Sequence, residues 1–211
     1  MNIPTLTSRY SAINDLMYKS YLPKIINTAI DVNLFETLSG EKLSLNEISE
    51  KLQTDKPVTE ALLEVLTAID FIEKTGEKYS LTPLSEEYLV QKSEANQLHD
   101  VKGYSGSSGP FDNLQAVLKG EKTVFNSDMW SSKEAVMGMQ QGVIAGSIQN
   151  VVSFVKEIPG FDSCIKMCDF AGSIGYYSFA LLEENKNLHS HVYDLPVVCE
   201  LAKEIKKKFK F

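Results

Sequence analysis

A short turn of small residues near the carboxyl end of the chain has the features of a ligand-binding loop. Residues 164–170 read Cys-Ile-Lys-Met-Cys-Asp-Phe and predict a strand, residues 171–175 read Ala-Gly-Ser-Ile-Gly, and residues 176–182 predict a helix. Glycines in such a turn let the backbone pass close to a ligand, and the first N–H groups of the following helix attract negative charge. The segment therefore predicts a site for a nucleotide or a carboxylate.

An acidic residue follows this turn at an informative distance. Residues 191–196, His-Val-Tyr-Asp-Leu-Pro, predict a second strand that ends at Asp194, nineteen positions beyond Gly175. In βαβ nucleotide folds an acid about 20 residues past the glycine loop accepts ribose hydroxyls. Asp169, at the end of the first strand, disfavours a pyrophosphate and suits an ammonium group. Together these features favour S-adenosylmethionine over NAD as the ligand. The alternative to a ligand site is that the glycines serve only to turn the chain tightly.

These two segments resemble a known enzyme family. Residues 169–175, together with Asp-Leu-Pro-Val-Val at 194–198, are similar to the S-adenosylmethionine-dependent O-methyltransferases of the caffeate and acetylserotonin type. The Asp-Leu-Pro after the second strand is the more distinctive mark. The resemblance extends over nearly the whole chain, because this family places a winged-helix dimerisation domain before its methyltransferase domain. It implies methyl transfer to the hydroxyl of a small-molecule substrate.

The resemblance also implies roles for individual residues. Gly172 and Gly175 would line the cofactor, Asp169 would lie beside its amino acid portion, and Asp194 would bind its ribose. No residue is implied to bind a metal. Homodimers are implied as well, since the amino-terminal helices of this family embrace a partner.

The chain departs from the family in its loop and in its histidines. Ala171 and Ser173 replace glycines of the family's loop, so we expect the backbone to approach a ligand less freely. The family's general base is a histidine from a later part of the domain, and none of His99, His189 and His191 has a matching context. Catalytic residues therefore stay unassigned, and we expect His189 and His191 to be surface positions on a strand.

The predicted nucleotide-binding part holds only the first two strands of the family's sheet. Two parallel strands with two helices leave a sheet edge and an apolar face uncovered, which favours pairing with another chain. We therefore expect no methyl transfer by this chain alone. It would be a fragment of a longer enzyme, a truncated and inactive protein, or one subunit of a heteromeric enzyme that a separate polypeptide completes.

The first part of the chain has the order of elements of a winged helix. Helical periodicity over residues 8–38 predicts two helices that meet at Pro23, and Ser44 to Glu47 has the form of a capping box that starts a short helix. A further helix begins near Asp55, and two short strands flank a turn at Gly76. Helix, short helix, helix and hairpin in this order are typical of that fold.

A long helix is predicted between the two parts. Residues 103–110 predict a loop, and residues 131–158 have one continuous helical pattern. Gly138, Gly142 and Gly146 fall four apart on one face of it, where each costs about 1 kcal/mol against alanine. Something must approach that face closely, and we favour a neighbouring helix over the alternative, a cavity wall for cofactor or substrate.

The predicted fold class is α/β overall: a mainly helical winged-helix dimerisation domain and then the first part of a Rossmann-like domain. We place the dimerisation domain at residues 1–98, connecting helices at 99–158, and the S-adenosylmethionine-binding part at 159–211.

The composition bounds the possible functions. Hydrophobic residues make up 43% and charged residues 23% of 211, as in ordinary soluble proteins and unlike disordered or membrane-embedded ones. No signal peptide or membrane-spanning run is apparent, so we expect a cytoplasmic protein. The three cysteines lack Cys-x-x-Cys spacing and are interpreted as buried free thiols. A net charge of −7 disfavours nucleic acid as a partner.

Two other functions compete with catalysis. The first is a winged-helix regulator of transcription, but residues 58–69 of the presumed recognition helix carry Glu60 and Glu64 and no basic residue, whereas DNA contact calls for Lys or Arg. The second is a non-catalytic methyltransferase-like partner that stabilises or regulates an intact enzyme and keeps the altered loop as a relic.

Overall fold

The chain has a mixed α/β structure that divides into two compact units. The computed structural model describes residues 5, 7–103, 114–121 and 132–206. Residues Met1–Ser93 form the first unit and Glu94–Phe211 the second. The predicted α/β class is confirmed. Residues 104–110 of the predicted loop lie outside the described residues, and the domain boundaries placed after residues 98 and 158 stay predictions.

The first unit begins with three helices where the sequence predicted two. They are α1 (Ser11–Lys19), α2 (Leu22–Asp31) and α3 (Leu34–Leu38). The first break precedes Pro23, which lies in the first turn of α2, where its missing N–H leaves no hydrogen bond unmade. The second break is at Asn33, which has a φ of 61° and so leaves the helical conformation. The periodicity continues across this residue, which is why the prediction missed it.

The remainder of the first unit follows the predicted order. The elements are β1 (Leu43–Ser44), α4 (Leu45–Leu52), α5 (Lys56–Ala68), β2 (Ile72–Thr75), β3 (Lys78–Leu81) and α6 (Pro83–Tyr88), and the sheet is antiparallel with the order β1-β3-β2. The capping box is confirmed: Glu47 N–H donates to Ser44 Oγ at 3.4 Å, and Ser44 N–H donates to Glu47 Oε2 at 2.7 Å.

Helix α1 contributes nothing to the interior of its unit. The buried side chains come from the later elements and include Phe35, Leu38, Ile48, Leu66 and Ile72. The apolar residues on and beside α1 are exposed: Tyr10, Ile13, Leu16, Met17, Tyr18 and Tyr21. This helix therefore presents an apolar surface that its own unit does not cover.

The second unit contains a kinked helix where one continuous helix was predicted. Helices α7 (Leu98–Gly103), α8 (Leu114–Leu118) and α9 (Lys133–Gly142) are followed by a π-helical segment, Val143–Ser147, and by α10 (Ile148–Lys156). Ala145 has a ψ of 35° and Gly146 a φ of 119°, both outside the helical range. The prediction of one unbroken helix over residues 131–158 is wrong at this point, because Gly146 adopts a conformation that helical periodicity does not reveal.

The glycines of this helix have different surroundings. A Cβ added to Gly138 would lie 3.9 Å from the Asp100 backbone in α7, so a neighbouring helix does pack there, as we predicted. Gly142 lines a cavity described below, so the alternative prediction also holds at one position. A Cβ at Gly146 would meet nothing within 4 Å, and its positive φ alone explains the glycine.

The chemistry-bearing part of the second unit is a parallel βαβα segment. After a short 3₁₀ turn (Phe161–Ser163) come β4 (Lys166–Phe170), α11 (Tyr176–Glu184), β5 (His189–Tyr193) and α12 (Pro196–Lys206). Strands β4 and β5 are parallel, with Lys166 opposite His189 and Phe170 opposite Tyr193. Small apolar clusters centred on Leu181 and Ile174 hold the helices in place. The strands and helix predicted around the glycine turn are present.

The cysteines are free but not buried. Cys168 is exposed, and Cys164 and Cys199 are half-buried, so the predicted burial is wrong. Residues alternate between the faces of a strand, and Cys168 lies on the exposed face of β4. Among the helices of the described residues, none is long and apolar enough to cross a membrane.

Because the helix is kinked at Gly146, we predict that replacing glycine by alanine has opposite effects on the free energy of unfolding at positions 146 and 138. Gly146→Ala should lower the free energy of unfolding by about 1–2 kcal/mol, because alanine is strained at positive φ. Gly138→Ala, the matched control, should raise it by up to about 1 kcal/mol, since this glycine is helical with room for a methyl group. Urea denaturation followed by circular dichroism measures both. Equal effects would show that the kink is absent.

Candidate functional site

The turn between β4 and α11 is tied to the end of the neighbouring strand. Ala171 N–H donates to the Tyr193 carbonyl oxygen at 2.8 Å, and Gly172 N–H donates to the same oxygen at 3.4 Å. Gly175 N–H closes the turn on the Gly172 carbonyl at 2.8 Å. The carboxyl ends of two parallel strands and the start of a helix therefore meet here, which is where open α/β sheets bind ligands.

Three residues of the turn have a φ in the left-handed region that favours glycine, and two of them are not glycine. Ala171 has a φ of 57° and Ser173 a φ of 52°, and Gly175 has a φ of 88°. Ala171 and Ser173 are the positions where the resembled family has glycine. A side chain in this left-handed region costs about 1–2 kcal/mol. Alanine and serine therefore add backbone strain at two positions of the turn where glycine would be unstrained.

Gly172 is required by a close approach of Asp169. A Cβ built on Gly172 would lie 2.5 Å from Asp169 Cγ and 2.7 and 2.8 Å from its two carboxylate oxygens. The Asp169 side chain therefore lies directly against the backbone of the turn. This contact places two of the predicted site residues together.

The Asp169 carboxylate is also held from the helix side. Ser178 of α11 donates its hydroxyl hydrogen to Asp169 Oδ2 at 2.6 Å, and the Ser178 and Ser190 hydroxyl oxygens are 2.7 Å apart. Ser178 is 1% exposed. Neither serine was predicted as a site residue, because a serine on a helix or a strand has no local signal that points to Asp169.

Asp194 is joined to the same turn. Its Oδ2 accepts from Ser173 N–H at 2.7 Å, and its Oδ1 accepts from Leu195 N–H at 2.7 Å. The acid that the spacing placed at the end of the second strand therefore lies at the glycine turn. Its carboxylate also stabilises the strained residue Ser173, a role that the sequence did not suggest.

A cavity of about 420 Å³ opens beside the turn. One wall comes from α9 and the π-helical segment, and the other from the end of β4, the turn and the start of α11. The lining residues are Met139, Gln140, Gly142, Val143, Ser147, Asp169, Phe170, Ala171, Gly172, Ser173, Ile174, Tyr176 and Tyr177. Asp169 and Gly172 thus line the cavity, whereas Gly175 and Asp194 lie beside it.

A tyrosine and a glutamine connect the two walls. Gln140 Nε2 donates a hydrogen bond to Tyr176 Oη. Burial raises the pKa of the Tyr176 hydroxyl, so this group is a neutral phenol at physiological pH. Neither residue was predicted as a site residue, because they are 36 positions apart in the sequence.

The histidines lie away from this cavity. His189 and His191 are exposed on β5, as predicted, and His99 is exposed on α7. Within the described part of the chain, the titratable side chains that line the cavity are Asp169, Tyr176 and Tyr177.

Comparisons with known proteins agree with this architecture. Residues 14–91 match the family model of the O-methyltransferase dimerisation domain. An uncharacterised protein of Methanocaldococcus jannaschii is 28% identical over 201 residues, which cover 93% of this chain and 54% of that protein. The N,N-dimethyltransferase OxyT of Streptomyces rimosus is 23% identical over 196 residues, which cover 86% of this chain and 56% of that enzyme. The chain thus spans just over half the length of these curated relatives.

A solved structure shows the same fold. Human N-acetylserotonin methyltransferase, crystallised in complex with S-adenosylmethionine, superposes with a TM-score of 0.74 at 20% identity, covering 95% of this chain and 64% of that one. The predicted resemblance to O-methyltransferases of the acetylserotonin type is therefore confirmed.

Because Asp169 lies against Gly172, we predict that adding a methyl group at position 172 lowers the free energy of unfolding, whereas removing one at position 171 has little effect. Gly172→Ala should lower the free energy of unfolding by about 1–3 kcal/mol, because the new methyl group must displace the Asp169 carboxylate. Ala171→Gly is the control and should change it by less than about 1 kcal/mol, since glycine adopts the left-handed φ without strain. Urea denaturation measures both variants. A harmless Gly172→Ala would mean that the carboxylate lies elsewhere.

Proposed function

We propose that this chain binds S-adenosylmethionine at the turn formed by residues 171–175 and is part of an enzyme that methylates a hydroxyl group of a small molecule. The observation that carries the proposal is the meeting of Asp169 and Asp194 at one strained turn beside a 420 Å³ cavity. The similarity to methyltransferases, including one that holds this cofactor, supports it.

The two carboxylates suit the two ends of the cofactor. Asp169 lines the cavity and would attract the ammonium group of the methionine portion. Asp194 lies at the end of the next strand, and its oxygens keep lone pairs for ribose hydroxyls in addition to the two N–H groups that they accept. Gly172 and Gly175 would let the backbone approach the ligand between these two positions.

We propose that the base for methyl transfer is not among the side chains that line the cavity in the described part of the chain. Asp169 is assigned to the ammonium group of the cofactor, and burial raises the pKa of the Tyr176 hydroxyl, which makes it a poor base. The missing base would belong to the rest of a longer enzyme or to a separate subunit. The purified chain would then bind the cofactor without methylating a hydroxylated acceptor.

One observation favours the alternative, a non-catalytic methyltransferase-like partner. Ala171 and Ser173 occupy left-handed positions of the cofactor loop, where glycine is unstrained. A loop that no longer needs to admit a ligand would tolerate such residues. Cofactor binding by the purified chain separates the two functions, because the partner would not need it.

Removal of the second carboxylate tests the cofactor site. Asp194→Ala should weaken S-adenosylmethionine binding at least tenfold, since each hydrogen bond from a ribose hydroxyl to a carboxylate contributes about 1.5–3 kcal/mol. Isothermal titration calorimetry gives the affinity, and a parallel denaturation curve reports the loss of the bond to Ser173 N–H. The control is Asp162→Ala, which removes an exposed carboxylate at the opposite end of β4. Equal binding by wild type and Asp194→Ala would refute the assigned role.

The first unit also predicts an oligomeric state. We propose that the exposed apolar surface of α1 packs against a second copy, because residues 14–91 match a dimerisation domain and no residue of α1 is buried within the described chain. Burying such side chains stabilises an assembly by about 25 cal/mol per Å² of apolar surface.

Light scattering should show a dimer at micromolar concentration. Leu16→Glu should shift it towards monomer, because a charge then enters the apolar surface of α1. Ser11→Glu adds the same charge to the same helix on its polar side and should leave the dimer intact. A wild-type monomer, or equal behaviour of the two variants, would contradict this assignment.

A further inference from the structure

We propose that Ser178 is a positioning residue that fixes the Asp169 carboxylate for the ammonium group of the cofactor. The inference rests on the proposed function and adds to it a residue of α11 that lies behind the cavity. Ser178 is absent from the cavity lining, so it would act only through Asp169.

The hydrogen bonds define a direction for the two serines. A carboxylate accepts and cannot donate, so the single hydroxyl hydrogen of Ser178 is used in its 2.6 Å bond to Asp169 Oδ2. The 2.7 Å contact between Ser178 and Ser190 must then be donated by Ser190. The order Ser190 to Ser178 to Asp169 polarises each hydroxyl towards the carboxylate.

Asp169 is held on two sides. The turn backbone at Gly172 approaches so closely that a Cβ there would lie 2.5 Å from Asp169 Cγ, and the Ser178 hydroxyl holds Oδ2 from the helix. In the part of the chain that the structure describes, no hydrogen bond is made to Asp169 Oδ1. One oxygen is thus anchored and the other is left for a ligand, which is what preorganised recognition of an ammonium group requires.

The burial of Ser178 supports this role over simple filling of space. The side chain is 1% exposed, and a buried hydroxyl is unfavourable unless it is hydrogen-bonded. An apolar residue of similar size would fill the same space without that constraint. The hydroxyl is therefore explained by its two partners, Asp169 and Ser190.

The test compares the preference for an ammonium group in wild type and variant. S-adenosylhomocysteine and its deaminated analogue, which has a hydroxyl in place of the amine, are titrated calorimetrically into the purified 211-residue chain. Wild type should bind S-adenosylhomocysteine at least about tenfold more tightly, as expected of one charge-assisted hydrogen bond. Ser178→Ala should lose most of this preference and weaken binding of the amine-bearing ligand alone.

A merely structural role would give a different pattern. Asn185→Ala, which removes three hydrogen bonds, to the Phe161 and Cys164 carbonyl oxygens and from Asn187 N–H, without touching Asp169, should weaken both ligands equally or neither. Ser178→Cys keeps the side-chain volume with a weaker donor and should show a reduced preference even if Ser178→Ala does not fold.

The outcomes distinguish a failure of the Ser178 role from a failure of the proposed cofactor binding. If wild type binds neither ligand, the cofactor proposal fails and the positioning role fails with it. If wild type binds both ligands equally, Asp169 does not hold the ammonium group. If wild type prefers the amine and both Ser178 variants keep that preference, cofactor binding stands and Ser178 has no positioning role.

Discussion

The site depends on one constraint, the acceptance of two backbone N–H groups by the Tyr193 carbonyl. This oxygen ends β5 and receives the N–H groups of Ala171 and Gly172, which begin the turn after β4. The first two residues of the turn are therefore bonded to the neighbouring strand, in addition to the hydrogen bond between Gly175 and Gly172 within the turn. Asp169 is brought against the turn on one side and Asp194 on the other, so the positions of both carboxylates follow from the pairing of the strand ends.

The Asp194 carboxylate compensates for backbone strain in the turn. Holding Ala171 and Ser173 at positive φ costs about 1–2 kcal/mol for each residue. A hydrogen bond from an N–H to a carboxylate contributes about 1.5–3 kcal/mol, so the bond from Ser173 N–H to Asp194 offsets the strain at its own position. Asp194 therefore has a structural role in this chain in addition to the cofactor role that we propose. A relaxed glycine at 173 would need this support less.

The sequence predicted those features whose signals are local. The capping box at Ser44, the turn at Gly76 and the strand, turn and helix around Gly175 each depend on a few neighbouring residues, and all are present. The left-handed Asn33 and Gly146 were missed because apolar periodicity continues across them and does not report φ.

Side chains that meet across the fold could not be predicted in this way. Ser178 contacts Asp169 only because α11 folds back on β4, and Gln140 reaches Tyr176 from a helix 36 positions earlier. In these pairs the sequence pattern around Ser178 and around Gln140 indicates only that each is a polar residue on a helix. The acid at 194 was found because its spacing from the turn is itself a signal, which the positions of Ser178 and Gln140 lack.

The two faces of the parallel sheet differ in their exposure to solvent. Residues on one face of β4 and β5 are exposed throughout, ending in the stacked rings of Phe170, which is 84% exposed, and Tyr193, which is 55% exposed. Parallel sheets are normally covered on both faces, because their strands are rich in apolar residues. The curated relatives are nearly twice as long as the segment they share with this chain. A covering layer would bury the Phe170 ring, which also lines the cavity, and would exclude water from that part of the cavity wall. Asp169 lies on the other face of β4, because successive residues of a strand alternate between its faces, so such a cover would act on the apolar wall of the cavity and not directly on this carboxylate.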